Sequence, residues 1–193
     1  MSAPDSGTAT PDPDRDDPDR GRAVVVVPYD PAWPSQFDAA RRTILAALGA
    51  EAVSVEHVGS TAVPGLAAKP VIDIHLSVRD PADETLYRPA LEAAGFAFVH
   101  RAPDWFEHRL FKGREPAEIN LHLFPVGCPE LDRCCLFRDW LRVDGADRAL
   151  YADTKRTLAT RRWDHVQDYA DAKTEVILQI LSRAEAWSGG AKG

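Results

Sequence analysis

The chain has 193 residues, room for one domain with a genuine core, and carries 30 acidic against 23 basic side chains, a formal charge of -7. Six aspartates and two arginines fall within residues 1–20, so the remainder is nearly balanced and lacks the basic stripe of a general nucleic-acid binder. The longest strongly apolar run, Ala23 to Val27, is too short to span a bilayer. The acidic, proline-rich start is unlike a secretory signal, and three cysteines without C-x-x-C spacing read as reduced thiols of a cytoplasmic protein.

Residues 1–22 have almost nothing to bury and are expected to form a disordered acidic tail. A single α+β domain is expected over 23–188, followed by a flexible C-terminus at 189–193. Order begins with an extended segment ending at Pro28. Pro31 and Pro34 then open a helix in which Trp33, Phe37, Ala40, Ile44 and Leu48 recur at helical spacing, with Gly49 as its stop. Val53–Val58 and Val71–Val78 read as strands. A helix is expected within Asp83–Ala94, with Pro89 kinking it or marking its first turn, and Gly95 ends it. Phe96–His100, Phe106–Phe111 and Ala117–Phe124 read as three further strands, the last two joined near Gly113. Helices follow over about 129–142, 146–161 and 167–187, the third with Val176, Ile177, Ile180, Leu181 and Ala184 largely on one side.

The most informative stretch is HVGSTAVPGLAAKPVIDIHLSV, His57 to Val78. Gly59 allows a sharp backbone, and the amides and hydroxyls of Ser60 and Thr61 can ring a phosphate oxygen, although a bare Gly-Ser-Thr is also an ordinary turn. Lys69 stands just before the next strand and can neutralise phosphate charge or simply face water.

Parity splits that strand into Ile72, Ile74, Leu76 and Val78 on one face and Asp73, His75 and Ser77 on the other. It likewise separates Ile119, Leu121 and Leu123 from Glu118, Asn120 and His122. Packing through the greasy faces would leave Asp73, His75, Glu118, Asn120 and His122 on one open surface. A plain solvated face is the ordinary alternative. Leu131, Cys135, Arg138 and Arg142 follow helical spacing, so both arginines lie on one stripe and require acceptors, either protein carboxylates or ligand phosphates. Tyr151 and Lys155, one turn apart, would extend that surface.

The motifs VVVVPYDPAWP, VEHVGSTAVPGLAAKPVIDI, INLHLFPVG and LFRDWLR followed by LYADTK resemble the GrpB family of predicted nucleotidyltransferases, over Val24 to Ala186. The resemblance implies a polymerase-β-type fold, a small mixed sheet packed on helices with a C-terminal helical segment. It also implies an activity: metal-dependent transfer of a nucleotidyl group from a nucleoside triphosphate to an acceptor. Gly59 and Ser60 match the phosphate turn; Thr61, Lys69, Arg138, Arg142 and Lys155, read from their own positions, are expected as further phosphate contacts. Asp73 matches the first metal acid. The second falls at His75, and the third position is offered by Glu118, Asn120 or His122. The expected catalytic set is therefore Asp73, His75 and His122, and the expected metal set Asp73, His75, Glu118 and His122. Carboxylates favour Mg2+ or Mn2+, and two imidazoles would admit Zn2+. The family is also similar to a domain joined to some dephospho-coenzyme A kinases. That makes an inactive nucleotide- or coenzyme A-binding module, or an accessory to an enzyme of coenzyme A synthesis, the alternative to an enzyme.

Overall fold

A computed structural model describes residues 23–190. The tail expected over 1–22 and the last three residues of the C-terminus lie outside the described residues. Helix α1 (Trp33–Leu48) starts where the Asp30 carboxylate accepts from the Ala32 amide at 2.8 Å and Pro34 occupies the first turn. It buries Trp33, Ala40, Ile44 and Leu48 and stops at Gly49, whose φ of +54° suits glycine. Strands β1 (Ser54–Val58) and β2 (Val71–Val78) follow, then α2 (Arg88–Ala93), β3 (Ala97–Ala102), β4 (His108–Gly113) and β5 (Glu118–Pro125). Pro89 lies in the first turn of α2, where its missing amide costs nothing.

The five strands form one mixed sheet in the order β1-β2-β5-β4-β3, with only β2 and β5 parallel. Its apolar face, made by Ile72, Ile74, Leu76, Phe111, Ile119, Leu121 and Leu123, packs against α1 and α2 in the main core. The C-terminal half is helical: α3 (Pro129–Val143), α4 (Gly145–Ala159), α5 (Val166–Asp171) and α6 (Thr174–Gly190). One helix was expected over 167–187; it is two, broken at residues 172–173. It also runs to Gly190, past the expected start of a flexible terminus. A second core joins Val63 and Leu66 to Leu141, Tyr151, Ala152 and Ile180. Buried Asp147 ties this half together, accepting from Trp140 of α3 at 2.7 Å and from both ends of the Arg183 guanidinium of α6.

The opposite sheet face is not the open surface that parity suggested. His75 is 6% exposed, Ser77 3% and Phe124 1%. Helix α3 lies over the β1 side, where Arg138 reaches Glu56 and the His57 carbonyl. At the other side Trp105, in the β3–β4 connection, lays its ring against Phe124 and His108. What stays accessible is a cavity where β2 and β5 meet the C-terminal helices.

Candidate functional site

The cavity is built around the β1–β2 connection. After Val58 the chain turns at Gly59 with φ +70°, and Ser60–Ala62 form a single 3-10 turn. A Cβ at Gly59 would lie 2.6 Å from an Asp73 carboxylate oxygen, so only glycine lets the turn press on that side chain. Asp73 faces it from β2, opposite Val58 on one side and Asn120 of β5 on the other. The Asn120 amide donates to Asp73 Oδ1 at 2.9 Å.

Behind the turn, Thr61 Oγ1 donates to the Val71 carbonyl at 3.2 Å and sits 3.0 Å from His57 Nε2. With the hydroxyl proton committed to Val71, the imidazole donates to Thr61 as its neutral ring. Burial, then Arg142 and Arg138, lowers the His57 pKa to about 4, and its ring stacks on Phe37. Arg142 reaches across from α3 and donates from Nε and Nη2 to the Ala62 carbonyl at 3.1 and 2.9 Å. Arg138 holds the His57 carbonyl at 2.9 Å along with Glu56 and Asp139. Neither arginine lines the cavity. Both were expected as phosphate contacts; in the structure Arg142 holds the backbone of the Gly59–Ala62 turn and Arg138 that of the end of β1 before it.

Lys155 enters from α4. It is 3% exposed, donates from Nζ to Ser60 Oγ at 2.9 Å and to the Ala67 carbonyl, and lies over the Tyr151 ring at 4.6 Å. Lys69 lines the cavity from the strand side, and Lys173, in the break between α5 and α6, from the helical side. Tyr169, Gln167 and Ala170 of α5 complete that wall, and the whole encloses about 320 Å³. Burial above all, then Lys173 and Arg156, lowers the Lys155 pKa to about 7, against the opposing pull of Asp73. Lys173 is lowered to about 8, again chiefly by burial, with Asp73 opposing and Lys69 adding to the shift.

The structure thus gathers Ser60, Thr61, Lys69, Asp73, His122 and Lys155 around one cavity, with Gly59 at its edge. It does not gather the expected metal set. His75 does not line the cavity; its ring packs against His122 and Phe124, with Nδ1 buried and without a hydrogen-bond partner. Burial, His122, His108 and Arg133 lower its pKa to about 3, so it is a neutral packing ring. Glu118 is exposed and stands opposite Val71, one strand position short of Asp73's partner on the same face. His122 lines the cavity through its ring, but its Nδ1 meets His108 Nε2 at 3.0 Å. Among the described residues, no three His, Cys, Asp or Glu side chains are grouped to hold a metal ion. The position beside Asp73 is held by Asn120, an amide. The donor set therefore does not fit a two-metal centre, which wants several carboxylate oxygens.

Sequence reasoning missed Lys173, Gln167 and Tyr169. Lys173 was hidden inside an apparently continuous helical pattern, and no local signal marked the break. His108 also went unremarked, although alternation along its strand would have placed it beside His122.

The small mixed sheet packed on helices is a nucleotidyltransferase-like fold, and the Gly-Ser turn, the strand aspartate and the lysine-lined cavity are placed on it. Its backbone is similar to that of the Cid1 poly(U) polymerase solved with MgGTP, with a TM-score of 0.50 and 16% identity over 70% of this chain and 45% of that one, a likeness of fold alone. Residues 23–183 match the family described as GrpB protein, and the chain belongs to that family. It is similar to a UPF0157 protein of Halalkalibacterium halodurans, 52% identical over 85% of this chain and 84% of the relative. The crystal structure of the conserved protein GrpB from Enterococcus faecalis superposes with a TM-score of 0.73 at 28% identity, covering 84% of this chain and 99% of that one. A dephospho-CoA kinase of Mycolicibacterium paratuberculosis is 31% identical over 86% of this chain, which spans about half of that protein, 47% of its length. Among the described residues no helix is long and apolar enough to cross a membrane.

Proposed function

We propose that this protein binds the phosphate groups of a nucleotide-type ligand in the cavity between the Gly59–Ala62 turn and helices α4 and α5. The observation that carries this reading is Lys155, a buried ammonium placed on the Ser60 hydroxyl inside a cavity that also holds Lys69 and Lys173. Buried cations seek an anionic partner, and among the described residues Asp73, already accepting from Asn120, is the lone carboxylate lining the cavity. A phosphate chain supplies the missing charge, and the Ser60 and Thr61 turn supplies donors for its oxygens. Nucleoside triphosphates and coenzyme A-type nucleotides share that chemistry. The similarity to dephospho-CoA kinases makes a phosphorylated small molecule of coenzyme A synthesis, or an enzyme of that synthesis as partner, the biological setting we favour. The three free thiols fit a cytoplasmic location.

A second reading is nucleotidyl transfer to an acceptor with pyrophosphate leaving. Asp73 beside Ser60, in a polymerase-type fold, favours it. A divalent metal, Mg2+ or Mn2+ with Zn2+ as the alternative, would supply charge neutralisation there, and Asp73 is the carboxylate placed to meet it. Labelled product from a nucleoside triphosphate would establish this reading.

The binding reading is tested by titrating the protein with ATP while following individual backbone amides. Lys155→Gln should weaken binding tenfold or more while the amide spectrum stays dispersed; unchanged affinity in that variant would remove Lys155 from the site.

A further inference from the structure

We propose that this cavity takes its phosphate ligand as the free polyanion, with the lysine ammoniums standing where a metal-dependent relative would place a divalent cation. The inference rests on the phosphate-binding reading above and specifies the ionic form of its ligand.

Three ammoniums, Lys69, Lys155 and Lys173, share the cavity with one carboxylate, Asp73. One oxygen of that carboxylate accepts from Asn120 at 2.9 Å and the other is pressed against Gly59. A cation seeking Asp73 would have to enter a space whose net sign is positive and whose other polar groups are neutral, the hydroxyls of Ser60, Thr61 and Tyr169, the amides of Asn120 and Gln167 and the His122 imidazole. Hard divalent ions prefer several anionic oxygens, and this wall offers one group of that kind. An anion meets the reverse situation. Lys155 is nearly sealed from water, so burial works against its charge in the folded chain, and a phosphate oxygen beside Ser60 would offset that cost. Burial pulls the Lys155 and Lys173 pKa values downward, the direction expected of cations that lack a sufficient counter-charge.

Asn120 has a specific part in this arrangement. An aspartate there would set two carboxylates against each other across 2.9 Å, a pair that calls for a cation between them. The amide instead neutralises the need by donating to Asp73.

The experiment is calorimetric titration of the full chain with sodium tripolyphosphate, once in EDTA and once in excess Mg2+, with an Asn120→Asp variant alongside. We expect wild-type affinity in EDTA to equal or exceed that in Mg2+, since the metal competes with the lysines for the ligand. Asn120→Asp should bind at least tenfold more weakly in EDTA and recover with Mg2+. Binding by the wild type only when Mg2+ is present would overturn this inference while leaving the phosphate-binding reading intact. No binding under either condition would overturn both. If Asn120→Asp fails to fold, the wild-type comparison alone decides.

Discussion

At the level of single residues, the site depends on one glycine and one lysine. Gly59 adopts a φ of +70° and has Asp73 Oδ2 where its Cβ would be, at 2.6 Å. Gly59→Ala therefore meets two penalties, a positive-φ, extended-ψ backbone that is essentially restricted to glycine, at about 1–3 kcal/mol, and a collision with the carboxylate that only a shift of the turn relieves. Urea denaturation should show a loss of at least that size, and phosphate affinity should fall with it. A variant as stable and as tight as wild type would mean the turn can move freely. The Gly-Ser-Thr turn and Asp73 were legible from sequence because a glycine before two hydroxyls, followed by an acid in an apolar strand, is locally unusual. The role of His75 was not legible. Alternation places it on the face of Asp73, but whether that face is covered is decided by α3 and Trp105, which lie far away in the chain.

Among the elements, α3 works as a brace for the Gly59–Ala62 turn. Its Arg142 donates twice to the Ala62 carbonyl and its Arg138 once to the His57 carbonyl, while Thr61 is tied to β2 from the other side. Sequence spacing showed that both arginines share a stripe and need acceptors; it left protein and ligand as alternatives. The answer is backbone oxygen with flanking carboxylates. Arg142→Ala removes a charge-assisted pair of hydrogen bonds and leaves a carbonyl short of donors, a cost of about 1–3 kcal/mol. The urea midpoint should fall accordingly, and tripolyphosphate affinity should weaken although Arg142 does not line the cavity. Arg142→Lys, able to make one of the two bonds, should recover part of both. Strand β2 was readable to the residue and β1 and β5 to within one, because β2 and β5 alternate cleanly and are bounded by proline and glycine; β3 and β4 end two residues later than expected. The break between α5 and α6 was not, since the apolar periodicity of 167–187 continues through it, and with the break went Lys173.

For the whole molecule, burial of ionisable groups sets a common pH dependence. His57, His75 and His108 have pKa values lowered to about 4, 3 and 3, each chiefly by burial, against an ordinary value of 6.5. The unfolded chain therefore binds protons that the folded chain refuses once the pH drops below about 6.5. Stability is fully present above that value and falls as the pH descends towards 4. Below 4.5 Glu84, held to about 2 chiefly by its hydrogen bond from Arg101, adds a loss of the same sign. Thermal unfolding at pH 5.0 should come at a lower temperature than at pH 7.5; a flat profile would contradict the burial of these rings. Lys155 and Lys173 act at the other end, costing stability as pH falls from 10.5 towards 7 and 8. That cost is the counterpart of a cavity prepared for anions.

The central claim is that a polyphosphate sits between the Gly59–Ala62 turn and the lysines of the cavity. The ATP titration read at single amides addresses it most directly. The account predicts the largest shifts at Gly59, Ser60, Thr61 and Lys173, with the α1 and α2 side of the sheet undisturbed. Shifts confined to another surface, or a spectrum that saturating ATP leaves unmoved, would contradict it.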